Sequence, residues 1–132
     1  MNTTAKVRDH MSRNVVTLDP QSEVLNAVHT LLQHEIAAAP VVSAEGTLLG
    51  IITERDCIRI VASAGYHSEY GGQVGDYMSA DVDTIDAEAS IVDAAKLFYG
   101  EQHHRYPVVE KGRLVGFLSR RDVLRALLQL SN

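Results

Sequence analysis

The sequence predicts an α/β (α+β) protein made of two β-α-β-β-α repeats, related by a pseudo-twofold axis and packed through their sheets into one globule. Three observations predict it. The phrase GIITERD, Gly50 to Asp56, returns as GFLSRRD, Gly116 to Asp122. The strand and helix signals around each copy come in the same order. At 132 residues with 45% hydrophobic content the chain suits one ordinary domain, whereas a half of about 60 residues would bury only roughly 60% of its unfolded surface and needs the other half.

The repeat reaches well beyond the two heptads. Val7, Asp9, Met11 and Ser12 answer to Val74, Asp76, Met78 and Ser79, and Pro40-Val41-Val42 answers to Pro107-Val108-Val109, all at an offset of 67. The offset falls to 66 at Gly46 and Gly112, where the first copy has one more turn residue. In the blocks 7–43 and 46–59, 17 of 51 aligned positions are identical, and Gly, Pro and Asp stay in register. The period is too long for a small solenoid repeat, so each copy is a supersecondary unit. The repeats are set at residues 7–64 and 74–130, with a connector at 65–73.

Each element has a local cause. Val15-Val16-Thr17-Leu18 is β-branched and predicts a strand, and Asp19-Pro20 supplies a helix N-cap and a proline for the first turn. Val24, Val28, Leu31 and Leu32 make one helical stripe, matched by Ile91, Ala94, Ala95 and Phe98. Pro40-Val41-Val42, a Gly-containing turn and Leu48-Leu49-Gly50-Ile51-Ile52 predict a hairpin, and Pro107 to Leu118 predicts its counterpart around Lys111-Gly112. A helix then opens at Thr53 or Ser119, with apolar positions at Ile58 and Val61, and at Leu124, Leu127 and Leu128. Gly65 to Gln73, with three glycines, connects the halves.

Charge and composition exclude several classes of function. The net charge of −5 divides evenly between the halves, with no basic arm, which weighs against nucleic-acid binding. No apolar run approaches the ~20 residues that span a bilayer, and Met1-Asn2-Thr3-Thr4 opens no signal peptide. The expectation is a cytoplasmic protein with no membrane partner; Met1 and the short flanks suggest a small standalone chain. The single Cys57 reads as a buried, inert thiol.

The repeated phrase carries the chemistry. Thr53-Glu54-Arg55-Asp56 and Ser119-Arg120-Arg121-Asp122 both fit the capping box [ST]-x-x-[DE], in which hydroxyl and acid satisfy backbone donors at a helix start. The same geometry also fits a nucleotide. A helix N-terminus carrying a hydroxyl suits a phosphate, and a carboxylate three residues on accepts hydrogen bonds from ribose hydroxyls. A bare anion would be repelled by the acid.

From about residue 7 to 130 the chain resembles a pair of CBS domains (cystathionine-β-synthase type), the arrangement called a Bateman module. The resemblance rests on G-Φ-Φ-[ST]-x-x-D in both copies, the V-x-D-x-M-S leaders followed by Val15-Val16-Thr17 and Val82-Asp83-Thr84, and the Pro-Val-Val strands. It implies a nonenzymatic regulatory module that binds an adenosyl small molecule in clefts between the halves and commonly forms disc-like homodimers. AMP, ADP or ATP is the expected ligand, ahead of S-adenosylmethionine or NAD, with no required cofactor and a regulated protein partner of unknown identity. The competing reading is a dimerisation scaffold with empty clefts.

By position, the resemblance places Asp56 and Asp122 at the ribose, Thr53 and Ser119 near phosphate, and Thr17 and Thr84 beside the base. His104-Arg105-Tyr106-Pro107-Val108 resembles the family's H-R-Φ-P-V, whose basic pair contacts phosphates; Tyr106 replaces an aliphatic residue and either stacks on a purine or blocks the pocket. The copies differ chemically. His104-Arg105 and Arg120-Arg121 in the second stand where Ala37-Ala38 and Glu54-Arg55 stand in the first. Guanidinium to phosphate is the stronger kind of hydrogen bond, and Glu54 would repel a phosphate. The Ser119/Asp122 site is therefore expected to be the tighter, and the Thr53/Asp56 site weaker or empty.

No other constellation competes. The six histidines show no HExxH or paired Cys/His spacing, so no metal site is expected. Asp81, Asp83 and Asp86 lack the pattern of a calcium loop. Met11 and Met78 read as packing residues. No nucleophile elbow or Walker loop is present, and no enzyme activity is expected.

Overall fold

The computed structural model describes residues 5–64, 72–100 and 103–131. Of the connector at 65–73, only Gly72 and Gln73 fall among them. The fold is α+β, and the chain divides into two compact units: a first unit of residues 16–82, and a second of residues 1–15 together with 83–132. The units do not coincide with the sequence copies, because each leader packs with the other copy's strands.

The first unit holds α1 (Val24–His34), β1 (Ala38–Val42), β2 (Leu48–Thr53), α2 (Glu54–Ala64) and the one-turn α3 (Val74–Tyr77). β1 and β2 pair antiparallel from Ala38↔Thr53 to Val42↔Leu48 around a turn with Gly46 at φ +88°. The strand expected at Val15–Leu18 is reduced to one parallel bridge, Leu18 to Val41. Asp19-Pro20 is not a helix cap. The Asp19 carboxylate accepts the Gln21 N–H at 2.7 Å and its carbonyl accepts the Ser22 N–H at 3.0 Å, with proline favoured second in such a turn; the helix starts only at Val24.

Alternation along the strands decides what each face meets. Ala39, Val41 and Ile52 point to a core shared with Leu18, Ala27, Leu31, Cys57 and Val74. Ala38, Pro40, Ile51 and Thr53 therefore occupy the opposite face. Leu32, assigned to the apolar stripe of α1, is 70% exposed, since the helix buries the line of Val24, Ala27 and Leu31 instead. Burial pushes the Cys57 thiol pKa up, and the Asp56 and Glu54 carboxylates add to it, as suits an inert thiol.

The second unit repeats this plan with β3 (Ile85–Asp86), α4 (Ile91–Gly100), β4 (Arg105–Glu110), β5 (Arg113–Ser119) and α5 (Arg120–Leu130). β3 runs parallel to β4, and β4 antiparallel to β5 around Lys111 and Gly112, both left-handed, as a two-residue hairpin turn requires. Tyr106, Val108 and Leu118 face a core formed with Ile91, Ala94, Phe98, Val123 and Ala126. The outer faces of α2 and α5 also depart from expectation. Ile58, Val61, Leu124 and Leu128 are exposed, because Cys57 and Ile60, and Val123 and Ala126, take the buried line; of the expected positions Leu127 alone packs against the core, joined by Leu130.

The leaders explain the glycines of the repeated phrase. Ser79 pairs with Ile51 by two backbone hydrogen bonds of 2.9 Å, and Ser12 pairs with Phe117 at 2.8 and 2.9 Å. Met78 and Met11 then lie on Gly50 and Gly116. A Cβ at either glycine would stand 2.7 Å from the methionine sulfur and 2.6 Å from the serine carbonyl oxygen. Beside the first leader, Lys6 and Arg8 ion-pair with Glu88 at 2.7 and 2.9 Å, and Arg8 also reaches Glu110. The Lys6 hydrogen bond is the main reason the Glu88 carboxyl is held below its usual range.

Candidate functional site

Both repeated phrases fold as capping boxes. The Asp56 Oδ2 accepts the Thr53 N–H at 3.0 Å while the Thr53 hydroxyl accepts the Asp56 N–H at 3.0 Å. Asp122 and Ser119 do the same at 2.9 and 3.1 Å. The first amide of each helix is also taken, Glu54 N–H by the Ala37 carbonyl at 2.8 Å and Arg120 N–H by the His104 carbonyl at 3.2 Å. Two of the first three helical amides are thus satisfied within the chain.

The two acids differ in what holds their second oxygen. Oδ1 of Asp56 accepts a hydrogen bond from Arg59 at 3.1 Å, whereas Oδ1 of Asp122 has only an ion pair with Arg125 at 3.5 Å. Asp122 keeps the less engaged carboxylate oxygen, and both side chains are about 15% exposed.

The predicted residues sort by unit. Thr17, Thr53 and Asp56 lie in the first; Thr84, His104, Arg105, Ser119, Arg120, Arg121 and Asp122 lie in the second. Thr17 and Thr84 are exposed and directly precede the core residues Leu18 and Ile85. Arg105 is the cross-strand partner of Ser119, and Arg120 and Arg121 open α5 beside it, so strand pairing brings these cations to one cap. Among the described residues, none of the three arginines has a carboxylate within ion-pair distance. At the equivalent cap of the first unit stand Ala38, Glu54 and Arg55.

Tyr106 does neither of the things its sequence context suggested. It is 3% exposed and points to the helix-packed core, edge-on to Phe98 at 4.9 Å and to His103 at 5.2 Å between ring centroids. Period-two alternation sets it on the face opposite Arg105 and Ser119. His103 also meets Asp83 at 3.1 Å. Sequence reasoning missed Phe117, which lies 4.3 Å beneath the Arg105 guanidinium. The signal was there: Phe117 and Arg105 replace Ile51 and Ala38 at neighbouring cross-strand positions.

Among the described residues no helix is long and apolar enough to cross a membrane, and no group of three or more His, Cys, Asp or Glu is placed to hold a metal ion.

Known proteins resemble this chain in sequence and fold. The structure of CBSX2 from Arabidopsis thaliana in complex with AMP superposes with a TM-score of 0.79 at 28% identity, over 97% of this chain and 99% of that one. The CBS domain-containing protein YhcV of Bacillus subtilis is 30% identical over 128 residues, 97% of this chain and 88% of its own length. Protein MJ1225 of Methanocaldococcus jannaschii is 33% identical over 121 residues, and the matched part is 42% of its length. The CBS domain model itself matches residues 7–63 and 74–129, one match to each sequence copy, and the chain belongs to the CBS domain family.

Proposed function

We propose that this protein is a nonenzymatic regulatory module of the cytoplasm that binds an adenine nucleotide at the Ser119–Asp122 cap of its second unit. The observation that carries this reading is the set of three exposed arginines, Arg105, Arg120 and Arg121, around that cap without carboxylate partners among the described residues. Guanidinium forks suit phosphate, and the less engaged Asp122 oxygen suits a ribose hydroxyl. Similarity to CBSX2, whose structure holds AMP, supports AMP, with ADP, ATP, S-adenosylmethionine and NAD as further adenosyl candidates. His104 and Thr84 complete the proposed site. The Thr17, Thr53 and Asp56 site, with Glu54 in place of an arginine, is the weaker or empty one.

The module signals only if nucleotide binds two arrangements of the protein with different affinity, since equal affinity shifts nothing. Self-association gives one such pair of states. The exposed Ile58 and Val61 of α2 and Leu124 and Leu128 of α5 are apolar surface suited to a homodimer. Those side chains, and caps that close within the chain, are also what a dimerisation scaffold would show.

A thermal-shift panel of AMP, ADP, ATP, NAD and S-adenosylmethionine decides between the two. A ligand at 100 times its dissociation constant adds about 2.7 kcal/mol of stability. Silence from the whole panel at millimolar concentration leaves the scaffold. Where a ligand binds, Asp122→Ala weakens it by about one to two orders of magnitude, and an equal loss in Asp56→Ala contradicts the asymmetry.

A further inference from the structure

The sheet face that carries Ser119 holds a residue with no place in the unit's core. Phe117 is 6% exposed, yet it belongs to neither core cluster of the described residues; Tyr106, Val108 and Leu118 fill the helix-packed side. Its ring lies under Arg105, with the guanidinium carbon 4.3 Å from the centroid. Register explains the meeting, since Arg105 pairs with Ser119 and Pro107 with Phe117, which makes Arg105 and Phe117 diagonal neighbours on one face. Backbone bonds to Ser12 on one side and pairing with β4 on the other fix where that ring sits. Arg105, at a strand end, is exposed and has no ion pair among the described residues.

We infer that Phe117 is a positioning residue, which holds the Arg105 guanidinium by a cation–π contact at the Ser119–Asp122 cap and so sets the affinity of that cap for the phosphate of a nucleotide. The inference rests on the nucleotide reading above and deepens it. A long cation that is left free loses rotamer entropy on binding an anion, and one already seated on a ring loses less. A carboxylate partner would seat it equally well but would compete with phosphate; an aromatic ring does not. The first unit has neither half of the pair, with Ala38 and Ile51 at the equivalent positions.

The test compares AMP with adenosine, which lacks the phosphate, by titration calorimetry on the full chain and on Phe117→Leu, Phe117→Tyr, Arg105→Gln and the Arg105→Gln/Phe117→Leu double variant. Phe117→Leu lowers AMP affinity about threefold to tenfold and leaves adenosine unchanged. Phe117→Tyr keeps the ring face and the affinity. In the Arg105→Gln background, Phe117→Leu has no further effect. The Arg105 side-chain N–H resonance, shifted upfield by the ring, returns to its ordinary position in Phe117→Leu with or without ligand. Equal loss of AMP and adenosine, additive effects in the double variant, or unchanged AMP binding in Phe117→Leu overturns the positioning role. If the unaltered chain binds neither ligand while the upfield shift is present, it is the nucleotide reading that fails, and the role assigned to the pair fails with it.

Discussion

Gly50 and Gly116 show what one missing Cβ does. Neither has an unusual φ, so conformational freedom is not the reason for them; close approach is. A leader's serine carbonyl and methionine sulfur occupy the space that a side chain would need. The carbonyl belongs to a paired backbone and cannot yield cheaply. Gly50→Ala and Gly116→Ala are each expected to lower the unfolding free energy by about 1 to 3 kcal/mol in urea titrations, whereas Gly100→Ala, whose Cβ meets nothing within 4 Å, is neutral or stabilising. A loss of less than about 0.5 kcal/mol in both strand variants would show that the leaders detach easily in solution. The glycine was legible in the repeated phrase and so was the methionine, but their contact was not, because they are far apart in sequence and come from different copies.

At the scale of the element, the capping boxes show how one motif secures a helix start at the place proposed for the site. Thr53 and Ser119 end a strand and begin a helix in one residue, which aims the acid three positions on back at the strand's last amide. Thr53→Ala and Ser119→Ala should each destabilise the protein by about 1 kcal/mol, as loss of an N-cap does. Their stability effects should match while their effects on nucleotide binding should not, with only Ser119→Ala weakening AMP measurably in calorimetry. One other helix start, at Asp19-Pro20, was misread. Asp19 uses its carboxylate on a turn, so a good capping residue next to a proline did not mark the helix. In the second copy Asp86 makes the same turn, and Ser90 caps α4 by accepting the Asp93 N–H at 3.0 Å.

For the whole molecule, the crossed leaders separate the unit of sequence from the unit of folding. A fragment of residues 16–82 keeps Met78 on Gly50, whereas a fragment cut at the sequence repeat, 7–64, leaves that glycine uncovered and carries a leader meant for Gly116. Thermal unfolding followed by circular dichroism should be cooperative for 16–82 and absent or far weaker for 7–64; the reverse order would refute the exchange. The sequence by itself determined the helix–hairpin–helix order of each copy, both caps and the charge difference between copies, though not the first strand at Val15–Leu18 or the helical turn at Val74–Tyr77. What it determined follows from local propensity, strand and helix periodicity and residue identity, all of which act over a few positions. Only the tertiary structure decided which leader covers which strand, that Leu32, Ile58, Val61, Leu124 and Leu128 face outward, that Tyr106 is core, and that Phe117 seats Arg105. Each of these depends on contacts between residues far apart in the chain, or on which of two strand or helix faces is turned to the core, and an apolar residue on the page looks the same on either face.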